Sequence, residues 1–342
     1  MAFAFKFEDS EDDGVKDPSS DLPSLKKALE ISGTELLIQR KSLPNKLSYS
    51  PLSTVHGAEH AELARRDLFD VRFQLLNEDK DSIDTSTDLL PGIYEGELPD
   101  LNKGGLKTWE CALDLVSELK NRVSSYRQID PTWPSSRHIA EIGCGTAVPT
   151  CYLLQKLLTA DSGGPTVIDL CDYNEQVLAL VVYPNLLLAW YFSAGPGRDQ
   201  SIDAGELEIE DSLLTEFDNS LIAKQIRLRF FSGGWDTLSI TEEVGRAEIV
   251  LSSETIYAIP RLPSLCRVLQ QSSWPTSSQQ TDAGLAPQST ICLVAAKVLY
   301  FGVGGGVQAF EEVLTRYDGW SKSCSEFTAG VGRIMLSVGF HS

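Results

Sequence analysis

A glycine turn between two apolar segments constrains the fold of this 342-residue chain more than any other feature. Residues 141–149 read E-I-G-C-G-T-A-V-P; they begin inside the strand-like segment His138–Gly143 and run into the helix-like segment Val148–Leu158. Asp172 ends the next apolar segment. A strand, a glycine turn, a helix, a second strand and a carboxylate are typical of a nucleoside pocket in an α/β sheet, because glycines let the backbone approach a ligand and a carboxylate accepts hydrogen bonds from ribose.

Strand-like and helix-like segments alternate from Leu89 to the C-terminus. The strands are predicted at His138–Gly143, Thr166–Asp172, Ile226–Phe231, Glu248–Ser253, Thr290–Lys297 and Arg333–Phe340. The helices are predicted at Trp109–Arg122, Val148–Leu158, Glu175–Phe192, Leu262–Gln271 and Val307–Tyr317. This alternation predicts an α/β fold with a doubly wound, mostly parallel sheet that binds its ligand outside the carboxyl ends of the strands. The polar segments Gly195–Ser220 and Gln271–Ser289 have no usable period and are expected to be surface loops.

The chain is predicted to divide near residue 85. Residues 1–85 are acidic and rich in Ser, Pro and Asp, which predicts a weakly ordered, partly disordered extension, and residues 86–342 form the α/β domain. The uncharged segment Val177–Gly195 is long enough to cross a membrane. Pro184 and Asn185 in its middle, and its place between two predicted strands, favour a buried helix instead.

Charge and cysteine usage narrow the class of partner and the compartment. With 29 Lys and Arg against 48 Asp and Glu, the formal charge of −19 disfavours direct binding of nucleic acid and favours a basic protein partner. The seven cysteines are scattered without C-x-x-C spacing, which predicts reduced thiols in a cytoplasmic or nuclear protein. His56 and His60 are four residues apart but have no further ligands near them in sequence, so we predict no metal site.

The residues around the glycine turn favour S-adenosylmethionine as the ligand. Position 148 is Val where a dinucleotide-binding G-x-G-x-x-G motif needs its third glycine, and the chain has no phosphate-binding G-x-x-x-x-G-K-[ST] loop. With Asp172 available for the ribose, Trp235 in F-S-G-G-W-D is placed to contact adenine. Trp109 and Glu110 could close the methionine end, although core packing is the alternative for each tryptophan.

Two later segments are predicted to hold the methyl acceptor. Glu254 and Tyr257, in L-S-S-E-T-I-Y, follow the fourth strand and could hold a nitrogen nucleophile, whereas a helix capping box is the alternative. Residues 300–306 read Y-F-G-V-G-G-G after the fifth strand. So many glycines cost conformational entropy unless the backbone bends or a ligand comes close, which predicts a substrate-facing loop.

Seven motifs in order resemble one enzyme family. They are L-P-G-I-Y-E-G (90–96), G-G-L-K-T-W-E-C (104–111), E-I-G-C-G (141–145), D-Y-N-E (172–175), F-F-S-G-G-W (230–235), S-E-T-I-Y (253–257) and A-K-V-L-Y-F-G-V-G-G-G (296–306). Together they resemble the seven-β-strand protein-histidine N-methyltransferases, the eukaryotic enzymes that methylate one histidine of large-subunit ribosomal protein L-three. The resemblance runs from about Leu89 to the C-terminus and is weak before residue 85.

The resemblance implies a Rossmann-like seven-stranded sheet, S-adenosylmethionine as cofactor and a ribosomal protein as partner, and we expect a monomer. The implied cofactor-binding residues are Trp109, Glu110, Glu141, Gly143, Cys144, Gly145, Asp172, Tyr173, Asn174, Trp235 and Ser253. Those implied to face the substrate are Tyr94, Tyr300, Phe301, Gly304 and Gly305, with Glu254 and Tyr257 as catalytic residues. The chain departs from the family at Ala147, which replaces a glycine and should be tolerated if its φ is negative, and at Glu97–Lys103, which interrupts Y-E-G-G-L-K.

Two other functions remain open from the sequence. Glu254-x-x-Tyr257 also resembles the acid-x-x-Tyr pattern of related lysine methyltransferases. A histidine acceptor needs no strong base, because imidazole with a pKa near 6.5 is mostly neutral at pH 7, whereas a lysine amine must first lose a proton. The other function is that of a noncatalytic escort for a ribosomal protein, which the acidic surface would equally suit.

Overall fold

An eight-stranded sheet organises the part of the chain that the structure, a computed structural model, describes. The described residues are 29–30, 43–53, 62–69, 71, 105–128, 130–161, 163–238, 245–274, 290–302, 304–328 and 330–341. The strands of this sheet are β1 (Leu29–Glu30), β4 (His138–Ile142), β5 (Thr166–Asp172), β7 (Ile226–Ser232), β8 (Ile249–Ser253), β9 (Ile291–Lys297), β10 (Gly319–Phe327) and β11 (Arg333–Phe340). Their order across the sheet is β1-β7-β5-β4-β8-β9-β11-β10.

The central strands run parallel, as the alternation of segments predicts. β7, β5, β4, β8 and β9 are parallel neighbours, and β11 returns antiparallel to β9. The predicted Rossmann-like sheet is confirmed, with all six predicted strands present and the short β1 added antiparallel at one edge. Because parallel strands end at one edge, the segments that follow β4, β5, β8 and β9 meet there.

Helices cover both faces of the sheet. They are α1 (Glu110–Tyr126), α2 (Val148–Leu158), α3 (Glu175–Val177), α4 (Tyr183–Ser193), α5 (Asp211–Ala223), α6 (Leu262–Ser272) and α7 (Val307–Thr315). Apolar residues of α1, α2, α4 and α5 form one core cluster with one face of the strands. Those of α6 and α7 form a second cluster with the opposite face, so the sheet is doubly wound.

The uncharged segment is a buried helix, as predicted. A π-helical turn, Leu178–Val182, joins α3 to α4, and 78% of the most apolar 18-residue window in Glu175–Ser193 is buried inside the protein. This is the one helix of the described residues that is long and apolar enough to cross a membrane. Pro184 is the second residue of α4, two positions after the π-helical turn, and proline in a helix interior leaves backbone carbonyls without their usual partners. The buried Arg66 supplies such a partner here, because its Nη1 donates to the carbonyl oxygen of Leu180 at 2.8 Å.

A second, three-stranded sheet corrects the prediction of a structureless loop at Gly195–Ser220. Residues within this range form β6 (Gly205–Glu208) and most of α5. β6 pairs with β2 (Lys46–Leu52), which pairs with β3 (Leu63–Arg66). The described part of the predicted extension therefore forms strands, and β3 packs on α4. The predicted boundary at residue 85 and residues 275–289 lie outside the described residues.

Candidate functional site

The glycine turn after β4 is joined to the end of β5. Gly143 and Gly145 have φ values of 69° and 51°, a left-handed conformation that glycine adopts without steric cost. The N–H of Gly145 donates to Oδ2 of Asp172 at 2.9 Å, and the N–H of Cys144 donates to the carbonyl oxygen of Cys171 at 2.9 Å. The turn and the acidic residue predicted to bind the ribose are therefore direct neighbours.

Trp235 lies against the same turn, on the side of β8. A Cβ added at Gly143 would lie 2.7 Å from Cγ2 of Thr255 and 3.2 Å from Cζ2 of Trp235, so a larger residue would displace one of them. Oγ of Ser252 donates to the carbonyl oxygen of Ile142 at 2.8 Å, which holds the ends of β8 and β4 together. The turn, the carboxylate and the tryptophan thus converge as the S-adenosylmethionine prediction requires.

Asp172 already accepts backbone hydrogen bonds from both sides. Its Oδ1 accepts from the N–H of Asn174 at 3.1 Å and its Oδ2 from Gly145. Burial raises the pKa of this carboxyl, and the hydrogen bonds from the backbone oppose that effect. The backbone of Tyr173 also bonds to this carboxylate. A carboxylate offers about four lone-pair sites, so a ribose hydroxyl could still be bound.

The backbone of Ala147 has a positive φ, whereas a negative φ was the condition for replacing a glycine there without strain. Its φ is 52° and its ψ 30°, so this condition is not met. Ala147 is the residue before the first turn of α2 and is fully buried. The chain therefore carries an L-residue where a left-handed backbone favours glycine.

Three of the residues predicted to bind the cofactor have side chains that are buried or hydrogen-bonded to other parts of the protein. Glu141 is fully buried under α2, where Oε2 accepts from the N–H of Thr150 at 3.1 Å, and burial raises the pKa of Glu141 to about 8. The thiol of Cys144 is buried, and Oδ1 of Asn174 caps α3 by accepting from the N–H of Gln176 at 3.0 Å. Their contacts with the cofactor stay predictions, as do those of Ser253, the last residue of β8, and of Tyr173, which is 37% exposed.

Lys297 is a residue of this site that sequence reasoning missed. It is the last residue of β9, and its Nζ lies 3.6 Å from Oε2 of Glu110, 3.7 Å from Oε1 of Glu254 and 4.8 Å from the ring centre of Trp109. The available signal was its position at the end of a buried strand inside a family motif. Lys297 links the predicted methionine end of the cleft to the predicted acceptor end.

Glu254 is a strained and mostly buried carboxylate. Its φ of 56° is uncommon for a residue with a side chain, and such conformations concentrate at functional sites. The side chain is 8% exposed, and Oε1 has no hydrogen-bond partner among the described residues. The capping-box alternative is wrong, because the next helical turn starts at Ile259 and has Ala258 before it.

Tyr300, rather than Tyr257, shares the surroundings of Glu254. Burial and the negative charge of Glu254 raise the pKa of Tyr300, whose hydroxyl oxygen accepts from the N–H of Lys297 at 3.2 Å. Burial and the same charge also raise the pKa of the Cys111 thiol. The ring of Tyr257 packs edge-on against Tyr300 at 6.2 Å between centres, and burial, followed by the charge of Asp172, raises its pKa. The catalytic role of Tyr257 stays a prediction.

The glycine string after β9 folds back onto the segment after β8. Gly304 bridges to Ala258, and a Cβ at Gly305 would lie 2.1 Å from the carbonyl oxygen of Tyr257, so no other residue fits there. Gly304 is exposed and Phe301 is 80% exposed, as a substrate-facing position requires, whereas Gly305 is buried and does not face a substrate. Tyr94 and Glu97–Lys103 lie outside the described residues.

No group of three potential metal ligands occurs in the described part of the chain, and His56 and His60 lie outside it. Six of the seven cysteines are buried free thiols, and Cys324 is exposed. Among the described residues, the charged groups of the cleft include Asp172, Glu110, Glu254 and Lys297. Lys107 is a second cation there, because its Nζ lies 4.8 Å from the ring centre of Trp109.

Comparison with curated proteins decides the family. The chain is 32% identical to histidine protein methyltransferase 1 of Schizosaccharomyces pombe over 330 residues, which cover 92% of this chain and 85% of that protein. It is 34% identical to histidine protein methyltransferase 1 of Saccharomyces cerevisiae over 281 residues, covering 74% of this chain and 68% of that protein.

The chain belongs to the histidine protein methyltransferase family. The predicted family and the prediction of a methyltransferase are thus confirmed, and the methyl donor is S-adenosylmethionine. A carboxylate, a tryptophan ring and the glycine turn lie together in the cleft, an arrangement that fits this molecule. That Asp172 binds the ribose and Trp235 contacts adenine stays a prediction.

No family model matches the chain. Among solved structures, a magnesium protoporphyrin IX methyltransferase of Synechocystis aligns at 8% identity with a TM-score of 0.36, covering 72% of this chain and 90% of that one. A methyltransferase of Pyrococcus furiosus aligns at 13% identity with a TM-score of 0.32, covering 63% of this chain and 80% of that one.

Proposed function

We propose that this chain transfers the methyl group of S-adenosylmethionine to a ring nitrogen of a histidine in a large-subunit ribosomal protein. The observation that carries the proposal is Oε1 of Glu254 at the edge of the sheet that holds the glycine turn: among the described residues this buried acceptor has no partner at ordinary hydrogen-bond geometry, although Cys111 and Tyr300 lie beside it. A buried unpaired acceptor costs free energy, and a substrate N–H that bonds to it would recover that cost.

The neutral imidazole ring suits this acceptor. One ring N–H donates to Glu254, which selects the tautomer whose other nitrogen carries a lone pair and faces the methyl group. S-adenosylmethionine supplies an electrophilic methyl on sulfur. The new nitrogen–carbon bond forms as the carbon–sulfur bond breaks, with its electron pair left on sulfur, and the ring then loses its N–H proton to Glu254 or to water. The partly buried Tyr300 beside Glu254 limits the access of water to this acceptor.

The acidic surface supports a basic protein as the substrate. The formal charge of −19 favours a basic protein over nucleic acid as the partner. The exposed Glu206 and Glu208 on β6 share one cation, Lys46, so this group keeps a net negative charge. We further propose that the protein acts as a monomer. We also propose that it works in the cytoplasm and nucleus, because its buried cysteines are free thiols, as is usual in those compartments.

Mass spectrometry tests the substrate. The purified protein is incubated with large-subunit ribosomal proteins and isotopically labelled S-adenosylmethionine, and the labelled residues are then located. We expect one methylated histidine. An Asp172→Asn variant serves as a matched control and should label less, because it loses acceptor strength for the ribose. Label on lysine instead of histidine, or no label on any ribosomal protein, would contradict the proposal.

A lysine methyltransferase is the alternative that the spacing of Glu254 and Tyr257 favours. The structure weakens the analogy, because Tyr300 and not Tyr257 is the tyrosine beside Glu254. For the noncatalytic escort, calorimetry decides: failure of S-adenosylmethionine to bind the purified protein would favour it over an enzyme.

A further inference from the structure

The ammonium of Lys297 stands between two carboxylates in the cleft. It lies 3.7 Å from Oε1 of Glu254 and 3.6 Å from Oε2 of Glu110, and its side chain is only 18% exposed. Its position over the ring of Trp109 adds a cation–π contact. The Nζ is beyond hydrogen-bond distance of Oε1, so Lys297 neutralises the charge of Glu254 without using its lone pairs.

The other described residues that act on Glu254 or lie beside it bring no further free positive charge to its side chain. Cys111 from α1 and Tyr300 from the segment after β9 are neutral at pH 7, since burial and Glu254 raise the pKa of both. Arg333 from β11 is engaged by Asp114 of α1, with Nε donating to Oδ2 at 2.6 Å. Glu110 is 54% exposed, and its pKa is lowered, most by a backbone hydrogen bond. Among the described residues, the acceptor end therefore consists of Glu254 and one mostly buried cation, Lys297, which the more exposed Glu110 shares.

We propose that Lys297 determines the choice of methyl acceptor, selecting a neutral imidazole over the ammonium of a lysine. The inference rests on the proposed function and concerns the same site. An ammonium bound at Oε1 of Glu254 would be brought close to the like charge of Lys297, which lies 3.7 Å from that oxygen. Repulsion between two cations at such separations is strong where water is largely excluded.

An imidazole donating its N–H to Glu254 meets no such repulsion. It is neutral at pH 7 before transfer. After transfer the ring is cationic, and the combined field of Glu254 and Lys297 holds it less tightly than a lone carboxylate would, which favours loss of the proton and release of the product. A lysine side chain faces the opposite situation, because it enters as a cation and must lose a proton before it can attack.

Two substitutions of Lys297 separate charge from shape. Lys297→Met keeps an unbranched stem over Trp109 and removes the charge, whereas Lys297→Arg keeps the charge and can also stack on the ring. Lys322→Met on the exposed face of β10 is the matched control for the substitution itself. Each purified full-length variant is incubated with labelled S-adenosylmethionine and a mixture of ribosomal and other cellular proteins. The proteins are hydrolysed, and labelled methylhistidine and methyllysine are quantified.

We expect wild type, Lys297→Arg and Lys322→Met to label histidine with little lysine. In Lys297→Met the ratio of methyllysine to methylhistidine should rise about tenfold or more, as loss of a unit charge at this distance implies. Calorimetry with S-adenosylmethionine and thermal unfolding accompany each variant. If Lys297→Met does not fold or does not bind the cofactor, Lys297→Gln takes its place as the variant without the charge. Its ratio of methyllysine to methylhistidine is then compared with that of Lys297→Arg.

The outcomes distinguish this inference from the proposed function. An unchanged product ratio on removal of the charge, or a rise in Lys297→Arg equal to that in Lys297→Met, overturns the role of Lys297 while leaving histidine methylation intact. If methylhistidine is found only in nonribosomal proteins, the proposal of a ribosomal substrate is wrong, and the product ratios still decide the role of Lys297. Absence of methylhistidine from wild-type reactions refutes both.

Discussion

Asn185 ties the glycine turn to the second sheet, and replacing it should weaken both folding and cofactor binding. This side chain of α4 is 1% exposed. Its Nδ2 donates to the carbonyl oxygen of Thr146 at 2.9 Å, and its Oδ1 accepts from the N–H of Arg66 at 2.8 Å. Asn185→Leu keeps the volume and removes both hydrogen bonds.

The expected loss of stability in Asn185→Leu follows from the two backbone groups that lose their hydrogen-bond partner. Thr146 and Arg66 are 6% and 4% exposed, so neither backbone group gains water when Asn185 is lost. Each buried group left unsatisfied costs about 1–3 kcal/mol, so with two such groups the free energy of unfolding should fall by roughly 2–6 kcal/mol. Because Thr146 follows Gly145 directly, the turn also loses support, and the affinity for S-adenosylmethionine should fall.

Urea denaturation and calorimetry measure the two effects. Ser272→Ala is the matched control: Ser272 is also fully buried, but its Oγ donates at 2.8 Å to the carbonyl oxygen of Val268 within its own helix. We expect a loss below about 1.5 kcal/mol for the control, with unchanged cofactor affinity. If Asn185→Leu unfolds within about 1 kcal/mol of the wild type and binds the cofactor equally well, the reasoning from unsatisfied partners is refuted.

Three further predictions concern the residues around the cleft. Glu254→Gln should lower kcat about 10- to 100-fold with unchanged cofactor affinity, because a neutral acceptor binds the ring N–H less strongly; full kcat would remove Glu254 from the mechanism. Burial raises the pKa of Glu141 from 4.5 to about 8, so between these pH values the folded protein holds a proton that the unfolded chain releases. The contribution of this group to the free energy of unfolding is therefore present below about pH 4.5 and is lost as the pH rises towards about 8. Denaturation at several pH values should show Glu141→Gln lacking this decline, which amounts to at most about 1.4 kcal/mol per pH unit; parallel curves for both proteins would contradict it. Ala147→Val should lower the free energy of unfolding by about 1–3 kcal/mol, since a β-branched residue is poorly tolerated at a φ of 52°, and thermal unfolding at or above the wild-type temperature would disprove this.

Most strands of the sheet could be predicted because each is recognisable from its own local sequence. β4, β5, β8 and β9 are short apolar runs whose side chains are buried on both faces, and the predicted bounds agree with the structure within one residue or so. β10 was missed because it is a polar edge strand, G-W-S-K-S-C-S-E-F, with exposed positions along its length. β6 was missed because its four residues carry no period that distinguishes them from a loop.

The sequence by itself determined the order of segments, and hence that the glycine turn, Asp172 and Glu254 lie at the carboxyl ends of parallel strands. It also carried the family motifs. The structure adds that β5 and β8 both pair with β4. Only the tertiary structure decided that Lys297 lies between Glu110 and Glu254 and that Tyr300, not Tyr257, is the tyrosine whose pKa Glu254 raises. The physical reason is that a strand's place in the sheet follows from local periodicity, whereas contacts between side chains from distant segments depend on register, rotamer and packing, which no single segment encodes.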